Sequence, residues 1–160
     1  MSEQLEQIDA LTQLAVRRVF QSMISMEMTA VPPEPLPPAP ETQIIASVGF
    51  IGEATGVVYL YVDVGFATTI ACRMLGITEA EVDDEEMVND AMGELSNMVV
   101  GYVKSHLQDG GLSCTLTIPS IVRGQQLSVQ GSSHITKRVI GFRGGDRHLL
   151  AEILLKEPQL

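Results

Sequence analysis

Most of the usual markers of chemistry are missing from this sequence. It has only two cysteines, Cys72 and Cys114, each in an apolar segment and without metal-ligand spacing. Buried free thiols are therefore expected, not a disulfide or a zinc site. His106, His134 and His148 lie far apart and form no HxxxH pair, so a metal centre has little support. The serines lack a GxSxG setting and Cys114 carries no local sign of activation, which leaves nucleophilic catalysis poorly supported. Gly49, Gly52 and Gly56 lack both the GxGxxG order and the lysine of a phosphate-binding loop, and turn chemistry accounts for them. Basic residues are scarce: 10 against 20 acidic ones give a formal charge of -10, which argues against a nucleic-acid partner and against anionic membrane surfaces. No apolar run is long enough to span a bilayer, and Met1-Ser2-Glu3-Gln4 does not open a secretory signal. The expectation is a soluble, cytoplasmic protein.

What remains is a chain of 160 residues, 45% hydrophobic, that can form one domain over 1–160 with a real core. Ile8, Leu11, Leu14, Ala15, Val19, Met23 and Met26 recur at spacings of three and four, predicting a first helix over 8–28. Six prolines between Pro32 and Pro40 make 31–41 a proline-rich connector. Runs at 44–51 and 57–62 flank Gly52-Glu53-Ala54-Thr55-Gly56 and predict a hairpin. A short helix over 65–75 should end at a left-handed Gly76. Thr78 and Glu81 have capping-box spacing, and with Glu79, Asp83, Asp84, Glu85 and Glu86 they place negative charge at the start of a long helix over 84–108. Short strands are predicted at 112–118, 121–123, 127–134, 138–142 and 147–155. The class is α+β, with helices against one face of a mostly antiparallel sheet.

The long helix carries the informative stretch, Asp90-Ala91-Met92-Gly93-Glu94-Leu95-Ser96-Asn97-Met98-Val99-Val100-Gly101. At about 100° per residue Glu94 and Asn97 lie about 60° apart, with Asp90 a turn before and Gly101 a turn after. Ala91, Leu95, Met98, Val99 and Tyr102 form the opposite, core-seeking side. Each interior glycine costs a helix about 1 kcal/mol relative to alanine, and asparagine is a mediocre helix former. Spacing alone does not decide whether Gly93, Asn97 and Gly101 mark a site or a packing seam against a neighbouring helix.

The pattern Asp90-x-x-x-Glu94-x-x-Asn97-x-x-x-Gly101 resembles the signature helix of the CheX/CheC/FliY chemotaxis phosphatases, which hydrolyse the aspartyl phosphate of the response regulator CheY. The element order from about Ile8 onward is similar too. The resemblance is closest to CheX: Glu6 is followed three residues later by Asp9 rather than by the asparagine of a second motif, and the extra C-terminal chain of a flagellar-switch protein is missing.

The resemblance implies a CheC/CheX-like fold, with a long motif helix and a companion helix packed on one sheet face, and a homodimer formed through the sheets. It implies that Asn97 orients the attacking water and that Glu94 docks to the regulator's active-site lysine. Asp90, Gly93 and Gly101 would assist docking, bare backbone at the glycines allowing close approach. Ser96 stands where some relatives have glycine. No cofactor is expected on this chain; the Mg²⁺ belongs to the partner, a phosphorylated CheY-like response regulator in chemotaxis or a related two-component pathway. The alternatives are a regulator-binding adaptor without catalysis and a dimerising module of the same fold.

Overall fold

A computed structural model describes residues 2–33 and 42–156. The first helix, α1, spans Glu3–Ile24: the Ser2 hydroxyl accepts from the Leu5 amide at 3.1 Å, and Ser25, left-handed at φ 52°, closes it. The predicted range of 8–28 is therefore displaced toward the N-terminus. Met26 and Met28 continue the apolar count because they pack over Gly144 from an irregular segment, not because the helix continues. A strand that apolar periodicity does not announce follows: β1, Thr29–Val31, pairs antiparallel with Gly141, Phe142 and Arg143. Val31 is thus part of the sheet, while 34–41 of the proline-rich connector lie outside the described residues.

The hairpin is present as β2, Gln43–Gly52, and β3, Gly56–Asp63, with Ala46 opposite Leu60 and Val48 opposite Val58. Asp63 then caps α2, Val64–Leu75, accepting from the Phe66 amide at 2.7 Å, and Gly76 at φ 68° ends it. Glu79–Glu81 form a separate 3₁₀ turn, in which Glu81 Oε1 accepts from the Thr78 amide and hydroxyl. The capping box therefore closes this turn and not the long helix. That helix, α3, spans Glu85–Asp109 and starts from its own cap, Asp84 Oδ1 accepting from the Met87 amide at 3.0 Å.

The remaining strands are β4, Cys114–Leu116; β5, Ser120–Gly124; β6, Ile135–Gly144; and β7, Arg147–Lys156. The pairings are antiparallel in the order β1-β6-β7-β3-β2-β4, and β5 also pairs with β2. The predicted strand at 127–134 is irregular backbone instead. Gln126 and His134 bound it at φ 55° and 69°, and Leu127 and Val129 pack on the small outer cluster of Ile45 and Tyr61. Its apolar residues cover a sheet face without joining a ladder.

Alternation along the central strands aims Ile44, Ala46, Val48, Leu60, Leu149, Ala151 and Ile153 at one core, shared with Ile8, Val16 and Phe20 of α1, Phe66 and Ile70 of α2, and Leu95 and Val99 of α3. Helices and sheet thus form two layers, with α1, α2 and α3 on one face where a motif helix and one companion are expected. No helix among the described residues is long and apolar enough to cross a membrane.

Candidate functional site

Val88, Met92, Leu95, Val99, Val103 and Leu107 anchor α3 in the core. Its other side is left to solvent: Asp90, Glu94 and Asn97 are exposed and Gly101 is half-buried. Four of the five expected site residues therefore share one open stripe. Gly93 does not. It is buried, and a Cβ placed on it would meet Pro119 Cβ at 3.5 Å. It sits about 60° around the helix from Asp90, turned toward the loop between β4 and β5. The bare backbone at Gly93 thus faces a loop of this chain and not another helix or open solvent. Gly101 remains open: beyond the backbone of its own helix, no atom of the described residues lies within 4 Å of the position a Cβ would take there.

That loop flank is fixed from several sides. Thr117 exchanges two hydrogen bonds with Gly49 of β2, its amide donating to the Gly49 carbonyl at 2.9 Å and its hydroxyl accepting from the Gly49 amide at 2.8 Å. Arg123 of β5 donates through Nε to Asn89 Oδ1 at 2.6 Å and through a terminal nitrogen to the Glu85 carbonyl at 3.3 Å. Arg123 and Asn89 join the start of α3 to β5, a link that the sequence pattern does not single out because a contact across 34 positions leaves no periodic trace.

The opposite flank is open. Between α3 and the ends of α1 and α2 lies a groove of about 510 Å³, lined by Met23, Met74, Leu75, Met87 and Met98. Asp90 and Glu94 also line it. The 11-residue separation of Met87 and Met98 is close to three helical turns, the one sequence signal that both fall on the same flank. Ser96 points the other way: it is buried, and its hydroxyl makes no hydrogen bond among the described residues.

Cys72 and Cys114 are free and buried, and burial raises both thiols above their ordinary pKa, which disfavours the thiolate. For Cys72 the carboxylates of Glu79 and Glu81 add to that rise; for Cys114 the cation of Lys104 opposes it. His106 stacks on Tyr102 at 4.3 Å. Among the described residues no three potential metal ligands come together. On α1, Asp9 is buried and bound by Arg138 at 2.9 Å and Gln13 at 2.6 Å, so it serves packing where a second motif would need an exposed group.

Known proteins share this architecture. Residues 44–143 match the family model described as chemotaxis phosphatase CheX. A CheC-like superfamily protein from Shewanella sp. PV-4 has the same fold at a TM-score of 0.79 and 24% identity, over 97% of this chain and 99% of that one. Chemotaxis protein CheX from Vibrio vulnificus does so at 0.77 and 22% identity, over 92% and 95%. CheX in the CheX-CheY-BeF3-Mg²⁺ complex from Borrelia burgdorferi matches at 0.69 and 19% identity, over 92% and 97%. No curated protein matches the chain.

Proposed function

The chain belongs to the CheX family of chemotaxis phosphatases, and from that premise we propose that it hydrolyses the aspartyl phosphate of a CheY-like response regulator. The observation that carries this reading is the joint exposure of Glu94 and Asn97 on one stripe of a helix whose other side is fixed in the core. The solved Borrelia burgdorferi complex of a similar CheX with CheY supports the choice of partner.

The two side chains suit different charges. A phosphoryl group is anionic and would be repelled by the carboxylates of Asp90 and Glu94, so Glu94 meets the lysine of the regulator's active site through a charge-assisted bond. Asn97, neutral and bearing both a donor and an acceptor, faces the phosphoryl group and holds a water in line with phosphorus. That water forms the new P–O bond as the bond to the aspartyl oxygen breaks, yielding inorganic phosphate and a free carboxylate. The Mg²⁺ that neutralises developing charge is held by the regulator, and Asp90 and Gly101 border the docking surface. In this reading 1–160 form a single phosphatase domain, working in the cytoplasm as a homodimer joined through its sheets with α3 left open.

The test is the decay of a phosphorylated receiver domain with and without the protein. Asn97→Ala should lower kcat about 100-fold, the scale of losing one preorganised polar group, with binding kept. Glu94→Ala should raise KM about tenfold, in line with a lost charge-assisted contact. Undiminished kcat in Asn97→Ala would remove that residue from the chemistry; tight binding with no acceleration by the native protein would make it an adaptor.

A further inference from the structure

The methionine groove is unused by this mechanism, although it shares a wall with the proposed docking stripe. Leu75, at the end of α2, is 51% exposed, and Met23, Met74, Met87 and Met98 beside it are all half-buried. The groove thus holds four of the chain's eight methionines. Unbranched, polarisable thioethers can repack around differently shaped apolar guests. Asp90 and Glu94 stand at the groove, no cation lines it among the described residues, and the exposed carboxylates of Glu79, Glu81, Asp83, Glu85 and Glu86 precede it along the chain. An occupant must therefore be apolar where it enters and cationic where it meets the carboxylates.

Resting on the docking reading given above, we infer that the groove is the second half of the receiver-domain interface: it takes an apolar side chain that the regulator carries next to the lysine paired with Glu94. A single contact at Glu94 fixes a point; an apolar anchor on one flank of α3 also fixes the rotation that brings Asn97 over phosphorus. The charge pattern favours this occupant over a second copy of the chain, because two such acidic flanks would repel each other.

The experiment titrates a beryllofluoride- and Mg²⁺-loaded chemotaxis receiver domain onto the full chain and measures hydrolysis of the phosphorylated form in parallel. Leu75→Asn, a neutral exchange at an exposed position, should raise Kd and KM about tenfold while leaving kcat unchanged, about what burying one leucine side chain contributes. Leu75→Met should restore both constants. The same polar exchange at Ile51, 60% exposed at the far end of β2, should leave them unaltered. Native Kd and KM in Leu75→Asn would overturn the inference while loss of kcat in Asn97→Ala upheld the phosphatase reading. Leu75-dependent binding with no hydrolysis by the native protein would uphold the groove and remove the phosphatase. Leu75-dependent self-association in sedimentation would assign the groove to a second copy and overturn the inference.

Discussion

The two flanks of α3 are built in opposite ways. On one, Pro119 closes over Gly93, Thr117 ties the same loop to Gly49, and Arg123 grips Asn89 and the Glu85 carbonyl. On the other, the ends of α1 and α2 stop short and leave an open groove walled by methionine. A helix can thus be firmly seated along one side and receptive along the other. In the proposed mechanism this division has a use: polar and backbone contacts hold the flank next to Asn97, where a small displacement would spoil in-line geometry, whereas soft apolar surface lies next to Glu94, where adhesion is needed.

The comparison breaks most readily at Gly93. Gly93→Leu would push a branched side chain against Pro119 and should lower stability by about 1–3 kcal/mol, the usual range for overpacking. Leu75→Asn on the open flank should stay within about 0.5 kcal/mol, as exposed exchanges do. Denaturant titration of both variants measures the contrast, and equal losses would mean that the flanks do not differ in rigidity. A smaller effect is expected from Arg123→Ala, which removes the donor to Asn89 and should cost about 1 kcal/mol. Faster amide exchange in the first turns of α3, with the C-terminal turns unchanged, would locate the loss at this clamp; uniform exchange along the helix would not.

Local chemistry makes much of this legible in the sequence. The acidic entry to the long helix, the left-handed Gly76 and the hairpin around Gly52 to Gly56 follow from interactions within a few residues, and the motif signals the family. The failures are the reverse. Met26 and Met28 prolong the apolar pattern of the first helix beyond its end, because periodicity records burial and not the element that achieves it. Leu127 and Val129 imitate a strand for the same reason, while Glu81 has the spacing of a cap for the long helix although its carboxylate accepts from Thr78. Gly93 shares the spacing of the motif, yet it is buried beside Pro119, 26 positions away. The groove needs three helices brought together, which no single stretch encodes.

Gly101 gives the finest test, because it is a glycine on the open stripe that packing does not explain. Beyond the backbone of its own helix, nothing among the described residues lies within 4 Å of the position a Cβ would take, so Gly101→Ala meets no clash. It should gain up to about 1 kcal/mol from helix propensity and reduced freedom of the unfolded chain. For a chain of this length that corresponds to a rise in Tm of about 2–4 °C. If the glycine serves docking, the same methyl should weaken receiver-domain binding by a few-fold, an unfavourable contact well below the tenfold effect of one apolar anchor. A more stable variant that binds less tightly would place Gly101 within the interface; a more stable variant with unchanged Kd would confine docking to Glu94 and the groove, leaving the glycine outside it.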